Sequence, residues 1–113
     1  MTLARVVATL CLLMFPANAP ADVDFARDVR PILQKHCTRC HGEKKQEGGL
    51  RLDIRRRALA GGDTGPAFVP GKDGGELLKR IVSRDEKTVM PPDGPLADAE
   101  VATLRVWVAQ GAH

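Results

Sequence analysis

The stretch Cys37-Thr38-Arg39-Cys40-His41 decides how this 113-residue sequence is interpreted. The pattern C-x-x-C-H marks covalent attachment of a c-type haem. Because residues i and i+3 lie on one face of a helical turn, both sulfurs can reach the two vinyl arms on one edge of a single porphyrin. His41, the next residue, can place its imidazole on the iron as the proximal ligand. The spacing therefore predicts a fold built around one haem.

Two other chemistries use the same residue types. A C-x-x-C pair with a depressed thiol pKa forms a redox dithiol or a disulfide, but the surrounding sequence lacks the βαβ pattern of that fold. A structural zinc site needs four ligands, and no second C-x-x-C or H-x-x-x-H follows downstream. Haem attachment is the interpretation that the spacing favours.

The beginning of the chain has the pattern of a secretory signal peptide over residues 1–21. Arg5 supplies the charge, residues 6–15 form a short apolar core, and Ala19-Pro20-Ala21 is a small-x-small cleavage site. Cys11 lies inside this core, without the small residue before it that a lipoprotein signal needs. The core is too short to span a bilayer. We therefore expect a periplasmic or otherwise exported mature chain, residues 22–113.

Composition limits the function classes. The net charge is only +3, with acidic and basic residues interspersed, and no basic stripe carries interleaved aromatics, so we expect no nucleic-acid partner. The length excludes a large hydrolase, and the absence of repeats and of long apolar stretches excludes a solenoid, a coiled coil and a membrane transporter. After signal cleavage only Phe25, Phe68 and Trp107 remain as aromatics. Such a thin core suggests that something else fills the middle.

The apolar spacing predicts four short helices. The first runs through Phe25 and Leu33 with Asp22 or Asp24 as its cap, and Pro31 should bias Arg30 away from the helix and kink or restart it. The others are expected over 54–60, capped by Asp53 and stopped by Gly61-Gly62, over 76–83, and over 98–110. An irregular loop over 61–72 should pack Phe68 and Val69.

Met90 is the only methionine left after signal cleavage, and it begins the proline-fixed stretch Met90-Pro91-Pro92. Prolines keep residues 88–95 out of a helix. A thioether on such a stiff loop suits haem iron as its sixth ligand. The alternatives are a core methionine that fills a gap, or ligation by His36, His113 or Lys87. His36 is the weakest of these because it adjoins Cys37 and cannot easily reach the opposite face of the ring.

Several further stretches resemble a small class I c-type cytochrome, and more narrowly the planctomycete-type cytochrome c domain. The matching stretches are residues 28–33, 37–42, 48–53, 61–63, 65–67, 69–71, 90–92, 104–105, Trp107 and 111–112. Ala97 departs from the pattern, since a helix-capping Ser is common there, and members usually continue past Gly-Ala into a longer chain, which leaves open a free-standing carrier or a front module.

The resemblance implies an all-α domain with about four short helices and long Gly/Pro-rich loops around one covalent haem c. Cys37 and Cys40 would attach the haem, and His41 and Met90 would be its ligands. The first and last helices of such proteins cross and pack.

An iron ligated on both faces has no open position for substrate, so we expect an electron-transfer protein that exchanges single electrons with redox partner proteins and is not itself an enzyme. The basic runs Lys44-Lys45 and 55–57 either dock an acidic partner or form a solvated face. The alternative function is a haem module, acting as a sensor or as an electron-entry domain of a larger extracytoplasmic enzyme system.

Overall fold

The computed structural model describes residues 21–72 and 74–113, and in this part of the chain the regular structure is helical, without strands. A π-helical turn, Phe25–Val29, continues into α1, Arg30–His36. A 3₁₀ turn follows at Glu47–Gly49. The remaining helices are α2, Arg55–Ala60, α3, Gly75–Ile81, and α4, Asp98–Ala109. The expected all-α fold with four short helices is confirmed, whereas the signal peptide predicted over residues 1–21 lies, except for Ala21, outside the described residues.

The first helix begins as predicted at an aspartate. Asp24 is the N-cap, and its carboxylate accepts a hydrogen bond of 2.7 Å from the main-chain nitrogen of Arg27. The expectation for Arg30 was wrong, because its backbone is helical, with φ −51° and ψ −45°. Pro31 lies in the first turn of α1, directly after the π-helical turn, and the helix changes there from π to α geometry. The restart of the first helix that was predicted at Pro31 is therefore a change from π-helix to α-helix.

Asp53 does not cap α2, so the prediction that it would cap the helix over 54–60 was wrong. The N-cap is Ile54, which contributes no side-chain hydrogen bond, and the helix begins at Arg55. The Asp53 carboxylate instead accepts two hydrogen bonds from Arg51, at 2.9 and 2.6 Å. A guanidinium two residues away offers charge-assisted bonds, and these compete with the weaker bond to a helix N–H. Gly61 ends the helix with φ 80°, as predicted.

Val82, within the helix predicted over 76–83, and Val69, which was expected to pack, are both exposed. Helix α3 ends at Ile81, so Val82 follows the helix and is 50% exposed. Val69 is 49% exposed, while its neighbour Phe68 is buried. The loop over 61–72 therefore contributes one large side chain to the core.

The last helix packs across the first, as expected. Leu104, Trp107 and Val108 are the buried residues of α4. The ring of Trp107 lies 5.8 Å from that of Phe25 and 5.2 Å from that of Phe68, measured between centroids. Such tilted aromatic pairs add to the burial energy. This crossing places α1, and with it the cysteine motif, against one side of the core.

Candidate haem site

The cysteine motif forms a tight turn at the end of α1. The main-chain nitrogen of Cys37 donates to the oxygen of Leu33 at 2.8 Å, and that of His41 donates to the oxygen of Cys37 at 2.9 Å. A Cβ at Gly42 would collide with the carbonyl oxygen of Thr38. Only glycine lets the chain turn so closely behind the motif.

A second set of main-chain bonds holds the motif to the next loop. The nitrogen of Glu47 donates to the oxygen of Cys40 at 2.9 Å, and the nitrogen of Leu52 donates to the oxygen of His41 at 2.8 Å. Hydrogen bonds to residues that precede and follow the motif therefore hold its backbone in place.

A cavity of about 480 Å³ lies beside this turn. It brings together all four residues singled out in the sequence, Cys37, Cys40, His41 and Met90. Apolar side chains line much of the rest: Leu50, Leu52, Ala67, Leu77 and Ile81. The volume falls within the range of about 300–1,000 Å³ that is typical of cofactor pockets. Residues 50 positions apart in sequence thus meet at one apolar cleft.

No disulfide joins the two cysteines in this structure. Cys37 is buried and Cys40 is half-buried. Burial, together with the nearby charge of Glu100, raises the pKa of the Cys37 thiol to about 11. A redox dithiol needs the opposite, a thiol pKa depressed toward neutrality. The electrostatics of Cys37 therefore disfavour the dithiol interpretation.

His41 carries an unpaired polar atom. Its Nδ1 is buried and has no hydrogen-bond partner among the described residues. A buried polar atom left unpaired costs about 1–3 kcal/mol, so such atoms usually mark a missing partner. Across residues 21–72 and 74–113, no three His, Cys, Asp or Glu side chains come together as they would in a zinc site.

Met90 is held by fewer contacts than His41. Its main-chain nitrogen donates to the oxygen of Arg80, at the end of α3, over 3.1 Å. The peptide bond to Pro91 is cis. The loop that carries Met90 is not helical, as predicted, and it places this residue on the cavity wall with Pro91 and Pro92.

The other candidates for the sixth ligand lie in different surroundings. His36 lines the cavity, but its Nε2 pairs with the carboxylate of Glu100 at 2.9 Å. Lys87 and His113 are exposed and do not line this cavity. The contact between His36 and Glu100 was missed by sequence reasoning because 64 residues separate the partners and no local pattern links them.

Glu100 has a second role at the start of α4. Its Oε1 accepts from the main-chain nitrogen of Ala97 at 3.0 Å, which satisfies an N–H at the helix entrance. This hydrogen bond, followed by the contact with His36, lowers the pKa of the Glu100 carboxyl. Glu100 thus joins α4 to the end of α1, next to Cys37.

A comparison with protein families finds the model described as Planctomycete cytochrome C over residues 37–94. The chain belongs to this family. The matched range begins at the first motif cysteine and ends just beyond Met90-Pro91-Pro92. No curated protein and no solved structure gives a significant match.

A cytochrome c domain implies a haem c cofactor and an electron-transfer role. The described residues fit that cofactor. The cavity is apolar and of cofactor size, the two thiols of the motif lie on its wall, and the unpaired nitrogen of His41 shows an imidazole whose polar atoms are not all used by the protein. A thioether and an imidazole are also the donor set that haem iron accepts.

Close packing of two loops shapes the far wall of the cavity. Gly48 and Gly62 both line it, and the main-chain nitrogen of Asp63 donates to the oxygen of Gly48 at 2.8 Å. A Cβ at Gly62 would collide with that same oxygen. The glycines of these loops therefore allow two backbones to meet at the cavity edge, which the sequence shows only as Gly-rich stretches.

Proposed function

We propose that this cytochrome c domain carries one haem c, which Cys37 and Cys40 would attach through thioether bonds and whose iron His41 and Met90 would ligate. The observation that carries the proposal is that these four side chains line one apolar cavity although Met90 is 50 positions from Cys40 in the sequence. The haem supplies a one-electron iron couple when it is bound. The chain supplies attachment, ligation and a surrounding of low polarity.

Each residue has a separate task in this proposal. The two cysteines hold the cofactor against the end of α1, where main-chain hydrogen bonds fix the motif. His41 ligates from the same turn, and its basicity depends on what its second ring nitrogen contacts. Met90 would ligate from the loop after α3 and would raise the potential relative to a second histidine. With both positions filled, no site is left for a substrate, which favours electron transfer over catalysis.

Charged side chains at the cavity rim fit contact with redox partner proteins. Lys35 and Arg39 are exposed and line the cavity beside the cysteines. The run 55–57 is less suited to docking, because the Nε of Arg55 donates to the oxygen of Ala112 and an Nη of Arg57 donates to the side-chain oxygen of Gln46. Partner contact through the rim would place the donor or acceptor next to the haem edge.

We further propose that the mature chain begins at Asp22 and works outside the cytoplasm. The signal-like pattern of residues 1–21 and the usual extracytoplasmic place of this family support export. No helix among the described residues has the length and apolarity needed to cross a bilayer.

The test is a potentiometric titration of the haem-loaded protein combined with carbon monoxide addition to the reduced form. We expect a reversible one-electron transition and no rapid binding of carbon monoxide, because both axial positions are occupied. Immediate carbon monoxide binding would instead favour the sensor or electron-entry module, in which one position is open.

A further inference from the structure

A second, smaller cavity of about 170 Å³ lies next to the haem cavity. Its wall contains Phe25, Phe68 and Trp107, which are all the aromatic side chains of the described residues. Leu33, Ala58 and Ala112 also line it and do not line the haem cavity. Protein interiors are packed as densely as organic crystals, so a pocket of this size among the largest side chains of a thin core is unusual.

Few polar groups line this cavity, and some of their atoms already have partners. The Asp53 carboxylate is paired with Arg51. The Nε of Arg55 donates to the oxygen of Ala112 at 2.9 Å, and the Nε1 of Trp107 donates to the oxygen of His113 at 3.0 Å. The exposed side chains of Arg55 and His113 offer the remaining hydrogen bonds, so a polar ligand would lose its hydration along most of the wall without compensation.

Two leucines separate the cavity from the proposed haem. Leu52 and Leu77 line both cavities. A molecule held in the small cavity would therefore lie one layer of side chains from the cofactor. Only this placement depends on the proposed function, because the small cavity itself is formed by protein side chains.

We propose that the small cavity is a binding site for small apolar molecules, from dissolved diatomic gases up to the size of benzene. The volume sets the upper limit, since a dry cavity of about 150 Å³ with a similar aliphatic and aromatic wall is large enough to bind xenon or benzene. The wall composition sets the chemical class, because most of the wall offers only shape and dispersion contacts.

Xenon is the probe for this site. The mature haem-loaded protein, reduced with dithionite, is titrated with xenon while its methyl resonances are followed by NMR. We expect saturable shifts for Leu33 and Ala58, smaller ones for the shared Leu52 and Leu77, and none for Leu50 and Ile81, which line only the haem cavity. Shifts that grow linearly without saturation, or that centre on Leu50 and Ile81, would overturn the proposal.

Two filling variants test the same cavity from different walls. Ala58→Leu and Leu33→Phe each add side-chain volume to it and should abolish the saturable shifts. Leu96→Phe makes the same leucine-to-phenylalanine change at a buried position that lines neither cavity, and it should leave xenon binding intact. If a folded filling variant, judged by its amide spectrum, still binds xenon as the wild type does, the site is elsewhere and the proposal is wrong.

Discussion

The two sides of the proposed haem site are built differently. The motif segment, residues 30–53, contains a helix and a turn with main-chain bonds from Cys37, His41, Glu47 and Leu52. The methionine loop, residues 82–97, has no helix, and Leu96 is its only buried residue. Its links to the rest of the chain include the bond from Met90 to Arg80. The histidine side is thus held by several main-chain hydrogen bonds around the motif, whereas Met90 itself is held by one main-chain hydrogen bond to the end of α3.

The largest expected effect comes from removing the covalent link on the motif side. The double variant Cys37→Ala/Cys40→Ala should lose most of its helical circular dichroism, because without haem a cavity of about 480 Å³ leaves a thin core unfilled. Far-ultraviolet circular dichroism with thermal melting measures this loss.

The matched control for that experiment is Met90→Ala, which keeps both cysteines and should stay folded with haem attached. A cooperative native-like transition in the double cysteine variant would show that the protein core is sufficient by itself.

The second expected effect separates the two sides of the site directly. Met90→Ala should retain the haem, lower its reduction potential by part of the roughly 0.8 V range that axial ligands control, and admit carbon monoxide rapidly. Potentiometric titration and stopped-flow mixing measure the two changes. An unchanged potential and unchanged carbon monoxide kinetics would show that Met90 is a packing residue and that another group is the sixth ligand of the iron.

A smaller effect is expected where the two sides are joined. Glu100 accepts from Ala97, the last residue of the methionine loop, and contacts His36 at the end of α1. Glu100→Gln should lower the free energy of unfolding by about 1 kcal/mol at pH 7, measured by urea denaturation.

The pH dependence of this variant has a definite sign. The pKa of Glu100 is lowered in the folded protein, so its ionised form stabilises the fold above the ordinary glutamate value of 4.5. That contribution is lost as the pH falls through the lowered pKa. The difference in free energy of unfolding between wild type and Glu100→Gln should therefore become smaller there. Glu86→Gln, at an exposed residue, is the control and should show neither effect. A difference that does not change with pH would contradict the role given to the charge.

The smallest effect concerns the pairing of Asp53 with Arg51, which lies before α2 on the motif side. If Asp53 acts only through its pair with Arg51, then Asp53→Ala and Arg51→Ala should lower the free energy of unfolding equally, and by less than Glu100→Gln, because partly exposed pairs contribute little. Urea denaturation of both variants makes the comparison. A clearly larger loss for Asp53→Ala would restore its role as a helix cap.

The contrast between the two sides also explains what the sequence could predict. The helices around Leu33 and Trp107 follow from apolar periodicity, and the position of His41 follows from its covalent distance to Cys40. These features depend on neighbours within one or two turns. Met90 was singled out because it is the remaining methionine beside two prolines, and its place on the cavity wall requires the whole fold.

Other features had no local signal. The pairing of Asp53 with Arg51 instead of a helix N–H is a competition between two nearby partners, and propensity alone does not rank them. The contact between His36 and Glu100, and the small aromatic cavity, arise from helix crossing. Such features appear only when distant segments are placed in space.

The most direct test of the proposed function is an intact mass, under denaturing conditions, of the chain exported in a host that has the cytochrome c maturation machinery. We predict the mass of residues 22–113 plus one haem, since covalent attachment survives denaturation. The bare mass of the chain, or a mass lower by two hydrogens, would show a dithiol or a disulfide at Cys37 and Cys40 and would contradict the electron-transfer account.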